Sequence, residues 1–177
     1  MRIIGGKHRG RKLAEFKGEE IRPTADRVKE SLFNILSVRV VGARVLDLFC
    51  GSGNLGLESL SRGAASVHFN DLSKDSLKVL KKNIGAVGEE GACTVTNMDY
   101  LTCLNSVKGG FDVIFMDPPY RFDYGIPALE VIARRKLLND GGVIVYERDR
   151  PFEGEVTGIE KYDERKYGKT YLTFFDI

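Results

Sequence analysis

From Ala43 onward the chain alternates between short apolar runs and amphipathic segments, and this alternation constrains the fold more than any other feature. The apolar runs are typical of buried strands, and the segments between them repeat apolar residues at helical spacing. We predict strands at residues 44–49, 66–71, 93–97, 111–116 and 143–147, and helices at residues 55–61, after Ser73 and at residues 126–138. Continuous apolar strands joined by helices indicate a mostly parallel sheet covered on both faces, and therefore a Rossmann-like α/β fold.

Other patterns flank this alternation. Residues 1–20 are punctuated by glycines and predict a hairpin-like segment, and residues 24–37 carry one apolar stripe that predicts a helix with Thr24 as its N-cap. Residues 156–162 and 170–175 predict an antiparallel hairpin. We therefore divide the chain into a basic N-terminal extension, residues 1–23, and a compact domain, residues 24–177.

Composition excludes several classes of protein. A chain of 177 residues with 42% hydrophobic and 29% charged side chains is typical of one globular domain. No apolar run approaches the roughly 18 residues that span a bilayer, and the amino terminus lacks the apolar stretch of a signal peptide. Three cysteines without CxxC spacing indicate a reducing cytosol and argue against disulfides and a zinc site. We therefore expect a cytoplasmic protein with no metal and no membrane partner.

Basic residues are concentrated near the amino terminus, although the net charge is only +2. A dense basic segment can contact phosphates even when the whole molecule is nearly neutral. The alternative is a solvated arm with no partner. The basic residues concerned are Arg2, Lys7, Arg9, Arg11, Lys12, Arg22, Arg27 and Lys29.

The loop after the first predicted strand reads DLFCGSGNLG from Asp47 to Gly56, and Asp71 follows Gly51 by 20 residues. Glycines in a G-x-G-x-x-G pattern let the backbone approach a ligand, and an acid at that distance can hold a ribose hydroxyl pair. Dinucleotides and methyl donors are both compatible with this pattern. Asp47 favours S-adenosylmethionine, because a carboxylate would repel a pyrophosphate but attract a sulfonium and an ammonium. The alternative is a tight glycine turn in which Asp47 is an ordinary cap.

A third acid, Asp99, follows the third predicted strand. Its carboxylate would either accept the exocyclic amine of an adenine or cap the short helix that follows. Because Asp47 and Asp71 also close their strands, the three acids together favour a ligand site at one edge of the sheet.

Asp117-Pro118-Pro119-Tyr120, at the end of the fourth predicted strand, is the most specific motif in the chain. Two prolines fix an extended backbone that donates no hydrogen bonds, so the carbonyls and the Asp117 carboxylate face a ligand as acceptors. Acceptors beside an aromatic ring suit a planar target that carries an NH₂ group. The alternative is a rigid turn in which Tyr120 fills the core.

DLFCGSGNLGLE together with DPPY resembles the class I S-adenosylmethionine-dependent amino-methyltransferases. The segments MRIIGGKHRGRKL, RPTADRVKESLFN and KYGKT narrow the resemblance to the bacterial family that methylates the exocyclic N2 of one guanine in 16S ribosomal RNA. The resemblance covers essentially the whole chain. Two positions depart from the family pattern: Asp71 stands where the family usually has glutamate, and Cys50 where it often has alanine.

This resemblance implies a seven-stranded, mostly parallel sheet, a methyl donor, and 16S ribosomal RNA as substrate within the small ribosomal subunit or an assembly intermediate. We expect a monomer that does not bind DNA. The implied catalytic residues are Asp117, Pro118 and Tyr120, with Phe122 assisting Tyr120. The implied donor-binding residues are Asp47, Phe49, Gly51, Gly53, Asp71, Leu72, Asp99 and Tyr100. The implied RNA-binding residues are the basic residues named above and Thr24.

Four alternatives remain. An adenine-N6 DNA methyltransferase can also carry DPPY, but this chain has no room for a target-recognition domain. A protein-glutamine methyltransferase resembles NPPY rather than DPPY, and leaves the basic amino terminus unexplained. A non-catalytic RNA-binding module would not need intact Asp47, Gly51 and DPPY. A nicotinamide-dependent dehydrogenase explains the glycines but neither Asp47 nor DPPY.

Overall fold

The computed structural model describes residues 1–15, 23–119 and 123–177, with backbone alone for residues 23–25. Within these ranges the strands are β1 (Arg44–Asp47), β2 (Ser66–Asn70), β3 (Cys93–Thr96), β4 (Phe111–Met116), β5 (Leu138–Arg148), β6 (Glu160–Tyr167) and β7 (Thr170–Asp176). The α-helices are α1 (Pro23–Leu36), α2 (Asn54–Ser61), α3 (Lys74–Val87), α4 (Tyr100–Ser106) and α5 (Gly125–Arg135). In the described parts of the chain, no helix is long and apolar enough to cross a bilayer.

All seven strands form one sheet in the order β3-β2-β1-β4-β5-β7-β6. Strands β1 to β5 pair in parallel, whereas β7 pairs antiparallel with both β5 and β6. The order reverses between β1 and β4, because the chain first builds outward to β3 and then returns to the other side of β1. Ligands bind at such a switch point in open α/β sheets, outside the carboxyl ends of the strands. The predicted mostly parallel α/β sheet is confirmed.

Each face of the sheet has its own hydrophobic core. Helices α1, α2 and α3 cover one face, where Phe33, Leu57 and Leu80 pack against Val67 and Phe115 of the strands. Helices α4 and α5 cover the other face, with Leu104 and Ile132 against Ile114. The fully apolar strands seen in the sequence therefore follow from burial on both sides.

Most predicted elements are confirmed to within one or two residues, but the boundary between α5 and β5 was predicted wrongly. Helix α5 ends at Arg135 because Lys136 adopts a left-handed conformation with φ of 51°. Strand β5 then begins at Leu138, which pairs with Phe111. In the tail, Val156 forms an isolated bridge with Ile159, so β6 begins only at Glu160.

The amino-terminal residues pair with one another and pack onto the domain. Arg2 and Lys12 form an antiparallel bridge, and Ile3 and Leu13 are buried in the core on the α1–α2–α3 face. The hairpin is thus a packed part of the molecule rather than a solvated arm. The predicted boundary at residue 23 adjoins residues 16–22, which lie outside the described residues, and it stays a prediction.

Candidate active site

The loop that follows β1 is held in place by Asp71, at the end of β2. One carboxylate oxygen of Asp71 accepts the amide of Gly51 at 2.8 Å, and the other accepts the amide of Ser73 at 2.8 Å. Gly53 has φ of +92°, a conformation that favours glycine, and a Cβ there would lie 2.4 Å from Leu80 Cδ1, so the Leu80 side chain would have to shift. Asp71 therefore fixes the loop, and its contact with a ribose stays a prediction.

Asp47 is buried beside this loop, with 2% of its surface exposed. Its Oδ2 accepts the amide of Gly56 at 3.0 Å. Burial raises the pKa of Asp47 from its ordinary 3.8 to about 7; the hydrogen bond from Gly56 lowers the pKa, and the nearby charge of Asp71 raises it. A cationic ligand above this carboxyl would favour its ionised form.

Asn70, a residue not singled out from the sequence, ties three strand ends together. Its side-chain amide donates to the carbonyls of Leu48 and Met98, at 3.2 and 3.0 Å. Its Oδ1 accepts from Thr96 Oγ1 at 2.9 Å. Asn70 directly precedes Asp71, and it sets the spacing of the loops on which the predicted site depends.

Apolar side chains line the edge of the sheet around these loops. Phe49 stacks on Tyr124 with ring centroids 5.7 Å apart, and Tyr100 lies 4.7 Å from Tyr124 and 5.7 Å from Phe49. Leu72 is 72% exposed although it is fully apolar. Phe49, Leu72 and Tyr100 were predicted, whereas Tyr124 was missed because its position after DPPY carries no pattern of its own.

Asp99 caps helix α4. Its Oδ1 accepts the amide of Thr102 at 3.0 Å, and hydrogen bonds from Thr102 hold the pKa of Asp99 below its usual range. Of the two roles that the sequence suggested for Asp99, helix capping is therefore confirmed. The carboxylate is exposed, and contact with an adenine stays a prediction.

The acid-proline motif lies beside the donor loop. Strand β4 pairs with β1, and Asp47 is in register with Phe115, two residues before Asp117. Asp117 is partly exposed and Pro118 is buried. Tyr120 and Phe122 lie outside the described residues, and their roles stay predictions.

Lys29 was predicted to bind RNA, and the structure contradicts this. The side chain is buried, with 3% of its surface exposed, and its ammonium donates to Arg2 O at 2.6 Å and Asn54 Oδ1 at 2.7 Å. Glu58 Oε2 lies 3.4 Å away. Burial lowers the pKa of Lys29, and the charge of Glu58 opposes that effect. Lys29 therefore joins α1 to the hairpin and to α2, out of reach of a phosphate.

Glu58, which is fully buried, anchors the hairpin to α2. It accepts the amides of Ile4 and Gly5 at 2.9 and 2.8 Å, and Arg62 Nε lies 2.7 Å from its Oε1. Glu58 was not predicted from the sequence as a functional or structural residue.

Most of the other predicted basic residues are exposed. Arg2 pairs with Asp26 at 3.0 Å, Lys7 pairs with Glu89 at 2.5 Å, and Arg11 donates to the Ala86 carbonyl. Arg9, Lys12 and Arg27 are also exposed. Arg22 lies outside the described residues, and of Thr24 only the backbone, inside α1, is described.

A parallel sheet with a switch point between β1 and β4, a glycine loop after β1 and an acid-proline turn after β4 define the class I methyltransferase fold. Solved structures agree with this assignment. An Escherichia coli protein provisionally described as a methyltransferase superposes with a TM-score of 0.88 at 34% identity, covering 99% of this chain and 96% of that chain. A hypothetical protein of Thermus thermophilus superposes with a TM-score of 0.84 at 28% identity, covering 100% and 99%.

Sequence similarity identifies the family of the chain. The family model described as Conserved hypothetical protein 95 matches residues 1–176. The ribosomal RNA small subunit methyltransferase D of Haemophilus influenzae is 39% identical over 176 residues, covering 92% of this chain and 91% of that protein. The Escherichia coli K12 protein of the same name is 41% identical over 149 residues, covering 84% and 75%. The chain belongs to this family of ribosomal RNA methyltransferases.

Proposed function

We propose that this protein transfers a methyl group from S-adenosylmethionine to the exocyclic N2 of a guanine in 16S ribosomal RNA. The observation that carries the proposal is the pairing of β1 with β4, which places Asp47 and Asp117 at the ends of neighbouring strands. A donor held at β1 and an amine held at β4 would thus meet at the switch point of the sheet.

The residues at the end of β1 and β2 fit this donor. S-adenosylmethionine supplies, when bound, an electrophilic methyl group on a sulfonium. Asp47 offers a buried carboxyl to the positive charges of the donor. Leu72, Phe49 and Tyr100 offer apolar surface to an adenine, and Asp99 offers an exposed acceptor beside it. Leu72 directly follows Asp71 and is 72% exposed, so its apolar surface is open to a ligand.

Asp117 and the Pro118 carbonyl bind the amine of the target base. The guanine N2 lone pair is delocalised into the ring, so the two acceptors fix the amine hydrogens and direct the lone pair at the methyl group. Asp117 or a water takes the proton that is released. Tyr120 stacks on the base, a role that rests on the family resemblance. Relatives named as small subunit methyltransferases support ribosomal RNA as the substrate class.

The test is radiolabelled methyl transfer to small ribosomal subunits that lack this modification, followed by nucleoside digestion. We expect label in N2-methylguanosine. Label in N6-methyladenosine would support S-adenosylmethionine as the methyl donor but contradict the N2 of guanine as the atom that is methylated. Label in protein, as a methylated glutamine, would overturn RNA as the substrate.

The role of Asp117 is tested by Asp117→Ala. We expect methyl transfer to be abolished. The affinity for S-adenosylhomocysteine, measured by calorimetry, should stay close to wild type, because Asp117 contacts the base that receives the methyl group and not the methyl donor. A large loss of donor affinity in this variant would contradict the assignment.

A further inference from the structure

The amino-terminal hairpin and the loop after β1 both lie along α3, because Asn83 donates to the Ser52 carbonyl at 2.9 Å and the hairpin tip reaches the last turn of the helix. Helix α3 begins directly after Asp71 and Leu72, at the edge of the sheet that carries the proposed site. Its last turn is at the other edge, where the carbonyl of Ala86 accepts from Arg11 of the hairpin. A helix of 14 residues is about 21 Å long at about 1.5 Å per residue. The exposed side of α3 therefore offers a ligand one path between the hairpin tip, at the last turn, and the proposed site, beside the first turn.

The face that α3 turns to solvent is basic. Its buried residues, Leu77, Leu80, Asn83, Ile84 and Val87, recur at helical spacing and point toward the sheet. The opposite side carries four exposed lysines and a single acid, Asp75, which pairs with Lys78 at 2.9 Å. These lysines, which we call the α3 lysine face, are Lys74, Lys78, Lys81 and Lys82. Across the described ranges 1–15, 23–119 and 123–177, Lys74, Lys81 and Lys82 form no ion pair.

The α3 lysine face continues into the hairpin. Asn83 donates to the Ala14 carbonyl at 2.9 Å and accepts its amide at 2.7 Å, so the hairpin lies directly along α3. The nearest acid at the hairpin tip, Glu89, pairs with Lys7 at 2.5 Å, and its Oε1 lies 2.6 Å from His8 Nε2. A mainly basic surface therefore extends from the hairpin tip along α3 toward the proposed site, interrupted by Glu90, whose Oε1 lies 3.6 Å from the Cβ position of Gly85. The whole chain nevertheless carries a net charge of only +2.

We infer that the α3 lysine face is a binding surface for the phosphate backbone of the RNA, which connects the hairpin with the active site. This inference rests on the proposed function, since it takes the substrate to be RNA. Lysines contact phosphates as point charges without reading sequence, so this surface would position the RNA while other residues select the base. The α3 lysines were not among the RNA-binding residues predicted from the sequence.

The test compares two double variants that remove the same charge. Lys74→Gln/Lys82→Gln removes two unpaired lysines from the α3 lysine face. Lys108→Gln/Lys136→Gln removes two exposed lysines near the ends of α4 and α5, which cover the other face of the sheet. Affinity for small ribosomal subunits that lack the modification is measured between about 0.05 and about 0.3 M salt, a range chosen for counterion release to dominate.

We expect the α3 variant to bind small ribosomal subunits on the order of 10- to 50-fold more weakly than the wild type at about 0.1 M salt. The slope of the logarithm of the association constant against the logarithm of the salt concentration should be shallower by about 1.4–1.8. The control variant should keep the wild-type affinity and slope, and both should bind S-adenosylhomocysteine normally. If the α3 variant keeps the wild-type slope, or if both variants weaken equally, the inference is overturned while the proposed function stands. If the wild-type protein transfers no methyl group to RNA, the proposed function fails, and this inference with it.

Discussion

Asp47 is the residue whose charge the proposed donor site depends on, and that charge changes near neutral pH. Burial raises the pKa of Asp47 to about 7. Above this pH the carboxylate attracts the cationic donor, and below it the neutral acid does not. We expect the affinity for S-adenosylmethionine to fall about tenfold for each pH unit below about 7, measured by calorimetry. Asp47→Asn should bind weakly at every pH, and a flat wild-type profile would contradict the role of Asp47.

The raised pKa of Asp47 also affects folding of the ligand-free protein. Between about pH 4 and 7 the folded state holds a proton that the unfolded state releases. The contribution of Asp47 to the free energy of unfolding therefore falls as the pH rises through this range. Part of this lost stability returns when a cationic ligand binds, because the ligand favours the ionised form.

Gly56 and Gly85 are both helical glycines, but they differ in the space around them. A Cβ on Gly56 would lie 2.2 Å from Phe69 Cε1, whereas a Cβ on Gly85 has Glu90 Oε1 as its nearest neighbour, at 3.6 Å. We expect Gly56→Ala to lower the free energy of unfolding by about 1–3 kcal/mol, because α2 packs directly on β2. Gly85→Ala should raise it by about 0.5–1 kcal/mol. Urea denaturation checks both values, and equal midpoints would refute this account of α2.

At the scale of elements, the amino-terminal hairpin depends on α2 for its place. Glu58→Ala would leave the amides of Ile4 and Gly5 without their acceptor, and the buried Lys29 ammonium without its ion-pair partner. We expect a loss of about 3–5 kcal/mol in urea denaturation, together with faster proteolysis within residues 1–15. Asp75→Ala, which breaks the exposed pair with Lys78, is the control and should leave both measurements near wild type. A small effect of Glu58→Ala would show that packing of Ile3 and Leu13 alone holds the hairpin.

Patterns within one helix or strand could be predicted from the sequence, whereas the contacts between elements far apart in the chain could not. The strands were predicted because burial on both faces makes each of them continuously apolar, as in Phe111–Met116. The end of α5 was missed because it depends on one left-handed residue, Lys136, of a type that rarely adopts that conformation. Helix α2 is buried on nearly all sides because the hairpin covers its outer face, a contact that no local periodicity encodes.

At the scale of the whole molecule, the difference between local patterns and long-range contacts also applies to the candidate site. The common position of Asp47, Asp71, Asp99 and Asp117 could be predicted because parallel strands bring their carboxyl ends to one edge. Lys29 was assigned wrongly because its buried partner Glu58 lies 29 residues further along the chain, and charge density alone does not separate a buried lysine from an exposed one.

The position of β7 has a consequence for how the protein is made. Strand β7 follows β6 in the chain, but it lies between β5 and β6 in the sheet. While the chain is being synthesised, β5 therefore has no partner on that side until residues 170–176 have emerged. Residues 143–146 of β5 are buried in the finished protein, and an apolar strand with an open edge is a template for pairing with other chains. The nascent protein thus passes through a stage in which this apolar edge of β5 is uncovered, and the edge is covered only when β7 pairs with it.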